Sequence, residues 1–465
     1  MKWENKNYWS LYLEFIEEFK KLKYKGIPIP IICNFSELIK DNAILKGEMK
    51  KPYFINNLKY KISSENDIQP SFDRFNPFKN SITKTIQTNG KVLLYEYVLR
   101  FPPQVLKKNF NQVKTFILRK RRKEGYNNIL PTYFLDQYQC EISSMVKKIQ
   151  IQSMDIFSCP TCHPVFKNCE FQEKFIQTIP QLLMNLESII NCFKDVRISC
   201  VIVGTTEDSL SRSIVAVASL NGVPSICMQH GLIVREEGYF PVLTTKQAVY
   251  GEFEKKWYLS KGVLEQQIEI IGHPRFDEIF TKQYNNTLDR KLRLNTRKKW
   301  VLLATQPSDR SKWLKLISCL MKDHSIEIII KPHPLEINNG DYLDYKILGS
   351  KYTRIKLISK NRIHLYEILS NVDIVVVNAS TVGLEAILMG KPVAILKNDT
   401  TDYYDKLGEF VQSNPNLLAE NIKRVLHDDF YKKHYEQRRK KFIAFSYPQQ
   451  LSINRLIKVI NELIN

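Results

Sequence analysis

Ile198–Gly231 reads ISCVIVGTTEDSLSRSIVAVASLNGVPSICMQHG. Its opening run, Ile198–Val203, is short and almost wholly apolar, the pattern of a strand covered on both faces. Leu210–Gly222 then has helical character and stops at a glycine, a residue that closes helices by entering the left-handed region. Val223–Gly231 is a second apolar strand, and it ends abruptly in Gln229-His230-Gly231. Two strands joined by one helix in so short a span must run parallel, because a hairpin turn cannot connect them.

The same alternation extends outward. Upstream, Phe171–Val196 is expected to be helical with a kink or fresh start at Pro180. Downstream lie a strand in Thr245–Gly251, a helix in Lys255–Gly262 and a strand in Ile268–Pro274. Thr281–Lys299 follows, with seven basic residues and one acid, and reads as a connector. Five further strands are expected at Trp300–Ala304, Ile326–Lys331, Arg354–Ser359, Asp373–Asn378 and Lys391–Leu396, with helices between them. The prediction is an α/β chain of two doubly wound units facing a cleft. The expected divisions are 1–280, a linker at 281–299, a second unit at 300–415, and a helical tail at 416–465 that packs back across the first unit. The first 190 residues are harder to parse. Met1–Lys25 has the period of an amphipathic helix, Asn89–Phe101 reads as a strand ending at Pro102-Pro103, Asn111–Tyr126 as partly helical, and Pro131–Gln152 as a helix.

Bulk properties narrow the function. The 465 residues are 43% hydrophobic and 25% charged, which excludes a disordered chain, and the net charge of +21 favours anionic partners. No apolar run is long enough to span a membrane and no secretory leader is seen, so a cytoplasmic location is expected. The nine cysteines fit reduced thiols. Cys159, Cys162 and Cys169 surround a C-x-x-C-H sequence that admits a zinc site, but plain thiols are the simpler expectation. The basic runs Arg119–Lys123 and Arg438–Lys441 come without any nucleic-acid-binding motif. No nucleic-acid partner is therefore expected, and peripheral contact with an anionic membrane or polymer is the more economical reading.

Ligands of open α/β sheets bind beyond the carboxyl ends of the strands, so the strand-end residues matter most. In the first unit these are Glu207 and Asp208, His230, and Arg275. His230 has an ordinary pKa suited to a base near neutrality. Either acid is an alternative base, or simply part of a helix N-terminal turn. In the second unit, Lys331-Pro332-His333-Pro334 holds an imidazole in a loop stiffened by two prolines. Thr305 and Gln306 end another strand. Ser380 or Thr381 opens a helix whose free N–H groups suit an anion, and Glu385 lies one turn in, suited to sugar hydroxyls.

The order QHG, GHPRFDEI, KPHP and NASTVGLEAILMGKPV resembles the GT-B-fold transferases that build bacterial surface polymers, notably capsule polysaccharide and Kdo transferases, over roughly Ile198–Leu396. CDP-glycerol glycerophosphotransferases share the HG motif, but this chain continues HGLIVRE where they have HGTPLK. The resemblance implies a glycosyltransferase that moves a sugar from a nucleotide-sugar donor to a glycan or lipid-linked acceptor. It implies His333, Ser380 and Thr381 at the donor phosphate, Glu385 at the ribose, and His230 as base. By position and chemistry alone, Lys331 and Arg275 are expected to add cations at the phosphate, and Thr305 and Gln306 further donors to the same donor-binding crevice. No cofactor and no metal are expected, since no Asp-x-Asp triplet ends a strand. A CDP-alditol transferase, a UDP-sugar 2-epimerase and a non-catalytic polymer-binding protein are the alternatives.

Overall fold

The computed structural model describes residues 2–77, 89–122, 129–284, 287–359, 363–398, 400–448 and 451–464. Two parallel sheets organise it. The first contains β1 (Lys91–Tyr95), β2 (Thr115–Arg119), β3 (Thr132–Phe134), β4 (Ile198–Val203), β5 (Ser225–Met228), β6 (Lys246–Val249) and β7 (Ile268–Ile270), in the spatial order 3-2-1-4-5-6-7. The second contains β8 (Lys299–Ala304), β9 (Ile326–Lys331), β10 (Ile355–Leu357), β11 (Ile374–Val377), β12 (Val393–Leu396) and β13 (Val411–Gln412), in the order 10-9-8-11-12-13. Each sheet reverses its winding once, between β1 and β4 and between β8 and β11. These switch points open crevices at the carboxyl ends of the strands.

The strands alternate between two cores with the period of two that a pleated strand imposes. Leu93, Tyr95, Val201 and Val203 face one core of the first unit, while Val92, Leu94, Cys200 and Ile202 face the other. That first core is covered by helices α1 (Trp3–Phe19), α2 (Ser143–Ser158), α3 (Cys169–Asp195) and α4 (Ser209–Leu220). Helix α5 (Glu252–Ser260) follows β6.

In the second unit, α6 (Pro334–Asn339) follows β9 and α7 (Thr381–Leu388) follows β11, with α8 (Pro415–His427) and α9 (Asp429–Ser446) packed on the same core. The last helix, α10 (Ser452–Ile464), returns to the first unit. Ile453, Leu456, Val459 and Ile460 enter its second core. Asp277 caps the start of α10 by accepting from the Ser452 and Ile453 N–H groups at 2.8 and 2.9 Å.

Several local expectations are corrected. Asn111–Tyr126 contributes strand β2 instead of helix, because Thr115–Arg119 is fully buried between β1 and β3; Lys123–Tyr126 lie outside the described residues. Pro131–Gln152 divides into strand β3, a short 3-10 turn and the start of α2. Helix α3 runs unbroken through Pro180. Helix α1 forms where the periodicity places it, but it is buried on all sides over Asn7–Ile16. Its polar side chains meet backbone: Asn7 donates to Met49 O and Lys51 O, and Glu14 accepts from Lys59 N. Buried Arg212 of α4 locks this segment down through Tyr12 Oη and Cys33 O. Within the stretch read as a connector, Leu288 and Leu294 are buried in the second core; Asn285 and Asn286 lie outside the described residues.

Candidate functional site

At the first switch point β4 ends in Gly204, where a Cβ would lie 2.5 Å from Leu99 N and 2.6 Å from Val98 C. Only glycine lets the loop after β1 lie directly on the end of β4. That loop is itself strained, with Val98 and Arg100 both at φ +52°, a region costing roughly 1–2 kcal/mol per residue. The result is to bring the Arg100 guanidinium within electrostatic reach of His230, Arg275 and Glu385.

His230 follows β5 through a turn held by its neighbours. Gln229 is fully buried; its Nε2 donates to Gly231 O at 2.7 Å and to Glu254 Oε1 at 3.2 Å, and its Oε1 accepts from Tyr250 N at 3.0 Å. Burial pushes the Glu254 carboxyl up to about 8. Tyr239 lies flat on the imidazole, with ring centroids 5.0 Å apart and planes within 5°, and donates to Gly231 O and Leu232 O. Burial, with Arg100 and Arg275 nearby, pushes His230 down to about 4. The imidazole is therefore neutral at pH 7. This corrects the near-neutral value expected of it, because burial strips the imidazolium of water and two guanidiniums add their repulsion. A Cβ on Gly231 would make only an ordinary contact, 3.7 Å from the Tyr239 hydroxyl, so the turn itself does not demand glycine.

The structure separates the two acids after β4. Glu207 and His230 line one cavity of about 460 Å³. Asp208 caps α4 instead: its Oδ1 accepts from Leu210 N and Ser211 N at 3.0 Å each, and its Oδ2 from Ser211 Oγ at 2.5 Å. It borders a different cavity, with Tyr95 and Arg119. The helix-turn reading therefore holds for Asp208, and Glu207 is the acid that shares space with His230.

In the second unit the strand ends support one another. His333 caps α6, its Nδ1 accepting from Leu335 N at 3.2 Å, which assigns the ring proton to Nε2 as a donor. Burial moves His333 below its ordinary value, and moves the Lys331 ammonium down as well. The Glu336 carboxylate accepts from His333 N and from Thr305 Oγ1, both at 2.8 Å. Thr305 is thus a buried brace for the histidine loop, not an open donor. Gln306 Nε2 donates to Ala379 O at 3.0 Å, tying the ends of β8 and β11 together. Ser380 caps α7 by accepting from Val382 N at 3.3 Å.

Glu385 is buried, with Tyr366 and Thr381 close enough to its carboxylate to favour the charged form. Burial raises its pKa, and Arg275, reaching over from the first unit, opposes that rise. Arg275 Nη2 donates to Tyr250 Oη at 3.1 Å and its guanidinium lies 4.4 Å from the Phe276 ring centroid, while Nε is buried without a hydrogen bond. The neighbouring His273 is fully enclosed, its Nδ1 accepting from Arg275 N, so it shapes the loop. Arg100, Arg275, His230 and Glu385 therefore converge where the two sheets face each other.

Sequence reasoning missed Arg100, Tyr239 and Glu254 at this centre, as well as Tyr8 and Glu237, which line the His230 cavity. Only the position of Arg100 after an apolar strand carried a signal. Among the described residues no cluster of three His, Cys, Asp or Glu side chains is placed to hold a metal. Cys162 is buried, with its thiol pushed up to about 12, whereas Cys159 and Cys169 are exposed. No helix among the described residues is long and apolar enough to cross a membrane.

Residues 300–408 match the family model for capsule polysaccharide biosynthesis proteins. The match covers β8 to β12 and takes in every strand-end residue of the second unit named above. No curated protein matches the chain. Among solved structures, the Staphylococcus aureus MnaA–UDP complex aligns at TM-score 0.53 and 14% identity, over 81% of this chain and 97% of its own. The UDP-GlcNAc 2-epimerase of Neisseria meningitidis, bound to UDP-GlcNAc, aligns at 0.50 and 16%, over 81% and 100%. Anabaena Alr3699/HepE, in complex with UDP and glucose, aligns at 0.52 and 11%, over 81% and 99%. These likenesses are of fold, and they span both sheets. With the family match, they bear out the resemblance to GT-B proteins of surface-polysaccharide synthesis.

Proposed function

We propose that the chain is a glycosyltransferase that moves a sugar from a nucleotide-sugar donor to a hydroxyl of a glycan or lipid-linked acceptor during surface-polysaccharide assembly. The observation that carries this reading is the convergence of His230, Arg100 and Arg275 from one unit on Glu385 of the other, with His333 at a neighbouring strand end. The capsule-biosynthesis match supports the pathway class. The UDP and UDP-GlcNAc complexes of the fold relatives support a uridine nucleotide in the donor.

On this reading the second unit binds the donor. The Nε2–H of His333 and the first turn of α7 donate to the diphosphate, and Glu385 accepts from ribose hydroxyls. The acceptor hydroxyl enters from the His230 cavity. His230, neutral before the reaction, takes its proton. The acceptor oxygen forms a bond to the anomeric carbon as the bond from that carbon to the phosphate oxygen breaks, and the nucleoside diphosphate leaves with both electrons. Arg100 and Arg275 stabilise the charge that develops on it. The bound diphosphate offsets the two cations that add to burial in depressing His230, which removes their opposition to proton uptake when a base is needed.

A nucleotide-sugar 2-epimerase is the second reading, favoured by one feature: Glu207 and Glu237 share the cavity with His230, giving proton-transfer groups around one sugar ring. Incubation with UDP-, CDP-, CMP-, GDP- and dTDP-sugars separates these readings. Nucleotide release that depends on an acceptor glycan supports transfer. Interconversion of UDP-GlcNAc at C2, followed by proton NMR without an acceptor, supports epimerisation. Response to CDP-glycerol alone overturns both.

A further inference from the structure

The His230 cavity is walled on its far side by a segment remote in sequence. Tyr8 of α1 lines it, together with Lys40 and Lys46 from the short helices that follow. At its inner end are His230, Glu237, Tyr8 and Tyr239; Glu207, Lys40, Lys46 and Arg235 are more exposed. Tyr8 is only 8% exposed, yet its hydroxyl makes no hydrogen bond among the described residues. Glu237 is half-buried, and beyond its own backbone N–H its carboxyl has no hydrogen-bond partner there either. The turn carrying Glu237 is fixed from behind. Glu236 accepts from Trp9 Nε1 at 2.9 Å and pairs with the buried ammonium of Lys261 at 2.5 Å, which also holds Glu65. Gly238 packs beside the Glu207 carboxylate, where a Cβ would lie 3.6 Å from Oε2.

A cavity of this volume is in the range that holds a small ligand. Its inner end presents a carboxyl and a phenol with unused hydrogen-bonding capacity, next to a neutral imidazole stacked on the Tyr239 ring. That set suits several hydroxyl groups on a compact ring. A carboxylate-bearing ring seated at the inner end would meet Glu237 as a like charge, while the cations Lys40, Lys46 and Arg235 lie with Glu207 at the more exposed end. We propose that this cavity binds the acceptor's terminal unit, and that this unit is a neutral, hydroxyl-rich sugar, held by Glu237 and Tyr8 with its reacting hydroxyl toward His230. The N-terminal segment is then a specificity element. The proposal rests on the transferase reading.

The test is saturation-transfer NMR on the full chain, with neutral probes (methyl glucoside, methyl galactoside, methyl N-acetylglucosaminide) and acidic probes (methyl glucuronide, methyl sialoside). At least one neutral glycoside is expected to bind, with acidic ones weaker by about fivefold or more. Glu237→Ala and Tyr8→Phe are each expected to cut the neutral signal about fivefold, the equivalent of one hydrogen bond. Glu237→Gln, which keeps the shape and tolerates an acidic ring, is expected to keep the neutral signal and narrow the gap between the two classes. Failure of every neutral probe, acidic probes binding equally well, or an unchanged neutral signal in both Glu237→Ala and Tyr8→Phe overturns the proposal. If Glu237→Ala fails to fold by circular dichroism, Tyr8→Phe and Glu237→Gln decide. UDP binding, titrated in parallel, reports on the donor reading: its absence with the glycoside pattern intact counts against the donor assignment and not against this cavity.

Discussion

The two walls of the cleft are built differently. In the second unit the strand-end residues hold one another: Thr305 braces Glu336, Glu336 holds the His333 backbone, Gln306 ties β8 to β11, and Ser380 caps its own helix. In the first unit the strand ends are finished by distant chain. Tyr8, Glu236 pinned to Trp9, and the loop pressed onto Gly204 complete the cavity. A wall whose contacts stay within one unit is preorganised before any ligand arrives and depends on residues 305–382 alone. A wall made of long-range contacts leaves polar groups unpaired and available. The family match covers only the first kind, residues 300–408.

The largest effect should come from the first-unit wall. His230→Ala is expected to lower acceptor-dependent turnover by about 10²–10⁴, the usual contribution of a positioned base, while nucleotide affinity measured by calorimetry stays near normal. An equal loss of nucleotide affinity would put His230 on the donor side and break the comparison. His333→Ala should do the reverse, weakening UDP binding by about tenfold or more, as expected for a charge-assisted hydrogen bond to phosphate.

Glu254 sharpens the contrast through pH. Burial raises its carboxyl from 4.5 to about 8. A raised acid binds its proton more tightly in the folded state, so its stabilising effect is complete below pH 4.5 and is lost as pH rises through 8. Thermal melts should therefore fall between pH 6 and 9 in the native chain, and Glu254→Gln should flatten that fall, with Gln229 still holding the His230 turn. Arg100→Ala should raise the His230 pKa from about 4, because a neighbouring cation is removed; imidazole NMR titration reads the shift directly. Gly231→Ala should have the smallest structural effect, within about 0.5 kcal/mol, because its Cβ meets no crowded atom. A loss of transfer activity in that stable variant would mean that the missing side chain makes room for substrate.

Much of the cleft was legible in the sequence because parallel strands announce themselves. Each is a short apolar run, and the residue after it must face the crevice. That logic located His230, Arg275, His333, Ser380 and Glu385 without coordinates. The apolar runs of β4 to β9, β11 and β12 determined a doubly wound chain on their own, since buried parallel strands have no polar face to confuse the pattern. Charge and hydrogen bonding were left to tertiary structure. Burial, with Arg100 and Arg275 added to it, turned His230 from an ordinary imidazole into one pushed to about 4. The free N–H groups at the start of α4 took Asp208 as a cap and left Glu207 in the cavity. Strand β2 was misread because its basic neighbours mask a run that is buried only once β1 and β3 flank it. The role of α1 was hidden for a related reason. Its alternation of polar and apolar residues fits a surface helix, and only the folded chain supplies the backbone partners that let Asn7, Ser10 and Glu14 be buried. Apolar periodicity is a local property that sequence determines; which polar groups meet depends on residues far apart in the chain, such as Trp9 with Glu236 within the first unit and Arg100 with Glu385 across the cleft, and only the fold decides it.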